Sequence, residues 1–196
     1  MSSRKESYKA GISTQKNRDR RAQNTISIRK KKKAEHLSRR RRVTQESEPT
    51  QELTPEVFTL LDGPQAYYAL QFIRKCLSKS TNPPIAMVVA YPNIMPKLMM
   101  FLQNHVKPRC QLEAAWILTN IASGNQAETR AVAEHMQTMF TVLHQTPDGA
   151  VRDQIVWALG NILGDNADYR EQCCSLNAIP VIVSAYEKTD DIEARD

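Results

Sequence analysis

The sequence predicts an all-α array of helical repeats preceded by a basic N-terminal arm. Apolar residues recur at helical spacing in several segments, and no stretch alternates convincingly with the period of two typical of a strand. The two tryptophans lie in near-copies of one phrase, WILTNIASG from Trp116 and WALGNILGD from Trp157, which start 41 residues apart. Charge is divided between the first 43 residues and the remainder, which indicates two parts with different partners.

The arm, residues 1–43, carries 16 Lys+Arg against 3 Asp+Glu, whereas the remainder carries 11 against 18. Its helical candidate, about 24–42, has few apolar positions and crowded like charges, so we expect the arm alone to be largely disordered. The following segment, TQESEPTQELTPE at 44–56, has the composition of a flexible linker. An acidic partner is indicated for the arm: nucleic acid, another protein or the chain's own body.

The body, residues 57–196, reads as helices separated by short breaks. Helical patterns cover 65–79, 110–123 and 153–164, and breaks are predicted at NPP (82–84), SGN (123–125), TPDG (146–149) and GDN (164–166). The most apolar stretch, 85–102, is interrupted by Pro92 and Pro96, so no membrane span is expected. The four cysteines include no CxxC pair, the four histidines lack metal-ligand spacing, and nucleotide and hydrolase motifs are absent. We therefore expect no enzyme activity, metal or cofactor.

Spacing along the body defines the repeat. The phrases NIMP at Asn93 and NAIP at Asn177 start 84 residues apart, which is two periods of 42, and Arg74 falls one period before Trp116. An all-helical period of 41–42 residues is typical of the armadillo/HEAT class. The predicted repeats are 57–82, 83–124, 125–165 and a partial 166–196. The third lacks the turn phrase, since HMQT stands near 135, so its local geometry is less well defined.

The tryptophan phrase suits the binding of an extended cationic peptide. Trp116 and Asn120 are four residues apart, as are Trp157 and Asn161, so each pair shares a helix face. Asn can hold both groups of a peptide bond, and a lysine stem fits between indoles with its cation over a ring, worth about 0.5–2 kcal/mol. Asp165 continues the same face. The alternative, with both Trp in the core and both Asn as caps, stays open, although the residues after Asn120 predict that the helix continues.

LEAAWILTNIASG and QIVWALGNILGD resemble the second and third armadillo repeats of the importin-α family, adaptors for cargo with nuclear localisation signals. The basic segment RRAQNTISIRKKKKAEHLSRRRRV (20–43) is similar to the importin-β-binding segment of that family. The resemblance implies an armadillo-repeat right-handed superhelical solenoid. It also implies a short form or fragment, with the arm, three repeats and part of a fourth.

The resemblance implies three sets of functional residues. The signal-binding groove would be formed by Leu77, Lys79, Trp116, Asn120, Ser123, Gly124, Thr129, Gln154, Trp157, Asn161 and Asp165. Importin-β would contact Arg20, Arg21, Arg29, Lys30, Lys32 and Lys33, with Ile26 and Ile28 as apolar anchors. Arg39, Arg40 and Arg41 would occupy the free groove and inhibit it.

The function implied is that of a nuclear import adaptor shuttling between cytoplasm and nucleus, with importin-β and proteins carrying lysine-rich signals as partners. Two alternatives remain from the residues themselves. One is a nucleic-acid-binding protein that acts through its basic arm, although the arm has only one aromatic residue, Tyr8, for base stacking. The other is an armadillo scaffold without signal recognition.

Overall fold

The computed structural model describes Arg20, Pro49 and residues 51–79 and 82–184. The chain divides into two compact units, 1–45 and 46–196. Within the first unit the description is limited to Arg20, which is helical and exposed. The remaining arm residues with predicted roles, from Arg21 to Arg41, lie outside the described residues.

The second unit is all-α over its described ranges. Its elements are α1 (Pro55–Thr59), a 3-10 turn (Leu60–Asp62), α2 (Ala66–Leu77), α3 (Ile85–Ala90), α4 (Ile94–Leu102), α5 (Pro108–Ile121), α6 (Gln126–Ala133), α7 (Met136–Gln145), α8 (Gly149–Asp165) and α9 (Ala167–Ser175). Helical backbone resumes at Ile179 and is described to Ser184. Residues 51–79 and 82–184 contain no strand, and the all-α prediction is confirmed.

Equivalent helices of successive repeats stack side by side. The long helix α5 packs against α2 on one side and α8 on the other, while α3 packs on α6 and α4 on α7. The triplets α3–α4–α5 and α6–α7–α8 are therefore successive units of a solenoid, as the period predicted. Between the long helices lies a continuous core that includes Leu70, Ile73, Ile117, Leu118 and Ile155, each less than 1% exposed.

Side-chain caps start α6, α8 and α9, whereas α7 begins without one. Before α6, Asn125 accepts from the Glu128 backbone N–H at 3.0 Å while the Glu128 carboxylate accepts from the Asn125 N–H at 2.7 Å. This reciprocal capping box satisfies two N–H groups that lack intrahelical partners. Asp148 caps α8 in a simpler way by accepting from the Val151 N–H at 3.2 Å. The predicted breaks before these helices are confirmed.

Three details of the helix boundaries differ from expectation. Pro96 lies inside α4, in its first turn, where the missing N–H has no intrahelical bond to lose. At the GDN break, α8 continues through Asp165, and Asn166 alone separates it from α9. Helix α5 ends at Ile121, so Asn120 lies in its last turn rather than inside a continuing helix.

The turn phrases differ in backbone geometry between repeats. Asn93 and Asn177, two periods apart, have positive φ angles of 59° and 49°. Asparagine tolerates this left-handed conformation better than most residues because its short polar side chain can bond locally. His135 holds the intermediate register position and has a φ of −108° instead. The third repeat therefore keeps its helix start at Met136 but enters it through a different turn.

Candidate functional site

The three long helices present matching stripes of polar and aromatic residues on one face of the stack, here called the ladder face. Positions three or four residues apart share a helix face, and hydrogen bonds and ring contacts join the stripes of neighbouring helices. The residues are Tyr67, Gln71, Arg74 and Ser78 on or just after α2, Arg109, Glu113, Trp116 and Asn120 on α5, and Gln154, Trp157 and Asn161 on α8.

The two predicted clamp asparagines bridge neighbouring repeats. Asn120 donates from Nδ2 to Ser78 Oγ at 3.1 Å, and Asn161 donates from Nδ2 to the Thr119 carbonyl at 3.2 Å. Both bonds reach back 42 residues, one repeat period. Thr119 also donates its hydroxyl to the Gln154 carbonyl at 2.8 Å, so α5 and α8 are joined in both directions. Asn161 thus closes a neighbouring helix end, which is part of the structural alternative left open by the sequence.

Arg74 occupies the ladder position one repeat before Trp116. Its guanidinium carbon lies 4.6 Å from the centroid of the Trp116 ring, within the range of a cation–π contact. Its Nε donates to Glu113 Oε2 at 2.6 Å, and both side chains of this ion pair are buried. The Arg74 guanidinium is therefore held by two partners, the Trp116 ring and the Glu113 carboxylate.

A second cation–aromatic cluster lies nearer the N-terminal ends of α2 and α5. Arg109 stacks on Tyr67 at 4.3 Å and donates to its hydroxyl at 2.9 Å. Gln71 donates to the same hydroxyl at 3.1 Å. Because Tyr67 and Arg109 lie on different helices, the cluster fixes the spacing of the first two stripes.

The predicted residues at the α5–α6 junction have clear structural roles. Thr129 is 1% exposed and donates its hydroxyl to the Ala122 carbonyl at 3.2 Å, which ties α6 to the end of α5. A Cβ added at Gly124 would lie 1.9 Å from Glu128 Oε2, so this glycine makes room for the capping-box carboxylate. Ser123 beside it is half-buried.

Exposure divides the predicted groove residues into two groups. Lys79, Trp116, Ser123, Gly124, Trp157, Asn161 and Asp165 are partly exposed. Leu77, Asn120, Thr129 and Gln154 are buried, with 2%, 1%, 1% and 5% of their surface exposed. The expectation of two outward-facing amides is therefore wrong for Asn120, because Ser78 and the packing of α5 enclose it. Leu77 packs its side chain in the core, so this side chain cannot contact a bound peptide.

Two buried side-chain oxygens on α8 lack hydrogen-bond partners among the described residues, Gln154 Oε1 in the ladder-face stripe and Asp165 Oδ2 four residues beyond Asn161. A buried acceptor without a partner loses its hydration without compensation, so such atoms favour a ligand that supplies a donor. The Asp165 carboxylate also acts on Tyr169. Burial is the larger cause of the raised pKa of Tyr169, and the negative charge of Asp165 raises it further. Of the three helices that form the ladder face, α8 therefore carries the acceptors best suited to an ammonium group.

Sequence reasoning missed the Arg74–Glu113 pair and the two hydroxyls, of Ser78 and Thr119, that join the repeats. The repeat period places Arg74 one register position before Trp116, but only packing brings Glu113 to it from 39 residues away. Of the residues predicted to contact importin-β, Arg20 alone lies among the described residues, and it is exposed. Arg21, Ile26, Ile28, Arg29, Lys30, Lys32, Lys33 and the Arg39–Arg41 cluster lie outside the described residues and stay predictions.

The described residues offer neither a metal cluster nor a membrane-spanning helix. Among the described residues, no three His, Cys, Asp or Glu side chains gather in a group that could hold a metal ion. Within the same ranges, no helix has both the length and the apolar character needed to cross a bilayer. Within the described ranges, the ladder face is therefore the candidate functional site.

Two family models match the chain in sequence order. One described as "Importin beta binding domain" matches residues 4–80, and one described as "Armadillo/beta-catenin-like repeat" matches residues 81–123, which contain the triplet α3–α4–α5. The first match extends beyond the basic arm and includes α1 and α2.

The chain is also similar to curated proteins. Importin subunit alpha-6 of Arabidopsis thaliana is 32% identical over 94% of this chain and 38% of its own length. Importin subunit alpha-2 of the same plant is 32% identical over 92% and 38%. Probable importin subunit alpha-A of Dictyostelium discoideum is 32% identical over 96% and 40%. The chain thus spans 38–40% of the length of these relatives. With both family models in order and these relatives matched over most of its residues, the chain belongs to the importin-α family.

Proposed function

We propose that the chain is a nuclear import adaptor whose ladder face binds extended lysine-rich segments and whose basic arm binds importin-β. One observation carries the proposal: Trp116 and Trp157 are both partly exposed on stacked, equivalent helices one repeat apart. Such a pair provides apolar walls for a lysine stem and ring faces for its cation. The molecule itself uses this chemistry, since Arg74 stacks on Trp116 at 4.6 Å.

The backbone of the ligand would be held mainly by Asn161. Its Nδ2 carries two hydrogens, and the bond to Thr119 uses one of them. The partly exposed amide can therefore donate to a peptide carbonyl without releasing the neighbouring helix. Asn120, which is buried, would need a new side-chain rotamer to do the same.

The α8 end supplies acceptors for ligand donors. Gln154 Oε1 and Asp165 Oδ2 are buried oxygens without partners in the described structure. A lysine ammonium has three donors and a positive charge, so it can satisfy an oxygen of this kind and offset the carboxylate charge. We infer that the lysine nearest Asp165 contributes most to ligand specificity.

The arm would act at two places. Its charge of +13 suits an acidic solenoid surface, supplied by importin-β, and also the chain's own ladder face, since residues 44–196 together carry −7. The linker at 44–56 would keep the Arg39–Arg41 cluster near that face at about millimolar effective concentration. Importin-β would withdraw the arm and free the face, which couples cargo loading to carrier binding and accounts for shuttling between cytoplasm and nucleus.

Calorimetric titration of the 196-residue chain with a short lysine-rich peptide tests the ladder face. We expect Trp116→Ala/Trp157→Ala to weaken binding at least about fivefold, because two cation–π contacts of about 0.5–2 kcal/mol each are lost. Tyr68→Ala is the matched control, since Tyr68 is 68% exposed and outside the ladder face. Equal affinity of the double variant and the control would reject the proposal. Binding of RNA with a steep salt dependence, and no response to the peptide, would favour the nucleic-acid alternative.

Addition of importin-β to the same titration tests the arm. We expect the peptide affinity to rise when importin-β is present, and to rise without it in the variant Arg39→Ala/Arg40→Ala/Arg41→Ala. An affinity that does not change in either experiment would reject the inhibitory role of the arm. That result would leave peptide binding by the ladder face intact.

A further inference from the structure

Arg74 stands in the row of aromatic ladder positions. Counting back one period of 42 residues from Trp116 gives Arg74, and counting forward 41 gives Trp157, so the row reads Arg, Trp, Trp across α2, α5 and α8. In this row Trp116 therefore has a neighbouring position from a different repeat on either side. On the α2 side that neighbour is a cation belonging to the chain.

The contacts of Arg74 fix it in place. The guanidinium carbon lies 4.6 Å from the Trp116 ring centroid, and Nε donates to Glu113 at 2.6 Å. The side chains of Arg74 and Glu113 are 3% and 9% exposed. Loss of either partner would leave the other as an uncompensated buried charge, so the pair resists opening. A ligand cation cannot readily displace a guanidinium held in this way.

The α8 side of Trp116 differs. No ring contact joins the two indoles within the described part of the chain, and both are partly exposed. We propose that Arg74 is a specificity-determining residue: it permanently occupies the α2-facing side of the Trp116 indole, so the first two repeats offer a ligand cation only the side that faces Trp157. This inference rests on the proposed function, because it assigns the register of the peptide that binds there.

Glu113 sets the electrostatic consequence. Paired with Glu113, Arg74 contributes almost no net charge to the neighbouring slot. With Glu113 replaced by Gln, the unbalanced guanidinium would repel a ligand lysine across the ring. Arg74 therefore reduces the number of ligand cations that the row can bind. Glu113 neutralises Arg74, so the affinity for the remaining ligand cation is not lowered by charge repulsion.

Two peptides test the assignment in the 196-residue chain. One is a short lysine-rich peptide, and the other is the same peptide with one more lysine at each end, so its direction need not be known. The variant Arg74→Ala/Glu113→Ala removes both charges and leaves neither unpaired, which favours correct folding; circular dichroism confirms it. We expect the natural chain to bind both peptides with nearly equal affinity and the double variant to prefer the longer one by about 3- to 10-fold, the value of one added cation–π contact. An unchanged preference would overturn the proposal.

A measurement without any peptide separates this inference from the proposed function. In Arg74→Ala, methylguanidinium should refill the vacated position and raise the thermal unfolding midpoint in a saturable way. The same titration of the natural chain and of Arg74→Ala/Trp116→Leu should give no saturable rise. A rise in the single variant would support the assignment of Arg74 even if neither peptide binds the natural chain, a result that would reject the proposed function alone. Absence of the rise would overturn the assignment itself.

Discussion

The side-chain amide of Asn161 donates to the backbone carbonyl of Thr119 at 3.2 Å across one repeat period. Thr119 lies in the last turn of α5, where the carbonyls of a helix lack intrahelical partners. The Ser123 N–H, which a continuing helix would direct to Thr119, bonds to the Asn120 carbonyl instead. Asn161 therefore completes the end of its neighbour while its second amide hydrogen stays available to a ligand.

Asn161→Ala should lower the free energy of unfolding by about 1–2 kcal/mol, because it leaves the Thr119 carbonyl without its partner. Urea unfolding followed by circular dichroism measures the change. Gln172→Ala, at an exposed position on α9, is the control and should have little effect. Equal unfolding curves for the two variants would show that the bond to Thr119 contributes nothing to stability.

Two glycines should respond to alanine in opposite directions. Gly124→Ala forces the Glu128 carboxylate away from the Asn125 N–H and should cost about 1 kcal/mol, the value of a lost cap. Gly160→Ala, in α8 with open space around the new methyl, should stabilise by about 0.5–1 kcal/mol. Thermal unfolding measures both. In a Glu128→Ala background the Gly124 penalty should largely vanish, and persistence of the full penalty would contradict the assigned cause.

Thr119→Val should destabilise the chain by about 1 kcal/mol, because it removes the hydroxyl hydrogen that two carbonyls share as acceptors, Ala115 at 3.0 Å and Gln154 at 2.8 Å. Valine has nearly the same shape, so packing is kept and the loss reports the hydrogen bonds. Thr119→Ser retains the hydroxyl and serves as the control. A valine variant as stable as the serine variant would mean that α5 and α8 are held by apolar contacts alone.

The four thiols should react at very different rates. Burial raises the pKa of Cys76, Cys110 and Cys173, whereas Cys174 is exposed. A raised thiol pKa means less thiolate, the reactive form, at any given pH. We expect iodoacetamide at about pH 8 to label Cys174 first, with the site identified by mass spectrometry of peptides. Equal labelling of Cys173 and Cys174 would show that α9 opens readily.

The buried thiols also imply a pH dependence of stability. Since the folded pKa of each is raised, burial favours the neutral form, and its stabilisation is complete below the pKa of the unfolded thiol. It is lost as the pH rises through the folded values. The unfolding midpoint should therefore fall in alkaline buffer, and a Cys76→Ala/Cys110→Ala/Cys173→Ala variant should show a smaller fall. Parallel curves for the two proteins would exclude thiol ionisation as the cause.

Much of the fold follows from local pattern. The helix segments, the stacking of α2, α5 and α8, and the placement of Trp116 and Trp157 on equivalent helices were all predictable, because a repeat places equal residues in equal environments. Side-chain partners were less predictable. The sequence contains Arg74 and Glu113 without any sign that they meet, since their contact depends on how α2 and α5 pack.

The burial of Asn120 shows the same limit within the candidate site. Its spacing from Trp116 correctly predicts a shared helix face, but exposure depends on the neighbouring repeat, which supplies Ser78 to the amide. Asn161 has the same spacing from Trp157 and is only partly buried. Identical local phrases thus acquire different accessibility from their surroundings, and no reading of one phrase alone could separate them.

The hydrogen bonds that Asn120 and Asn161 donate to the preceding repeat have a consequence during synthesis. As the body leaves the ribosome, the ends of α2 and α5 wait for partners from the next repeat, Asn120 for the Ser78 hydroxyl and Asn161 for the Thr119 carbonyl, so the newest unit is the least complete. Co-translational folding from α5 to α8 should therefore proceed in small steps, in each of which a new helix packs on the preceding repeat and completes its hydrogen bonds. A pause in elongation between them would prolong the life of a partly sealed intermediate, and it is at that stage that chaperone binding should matter most.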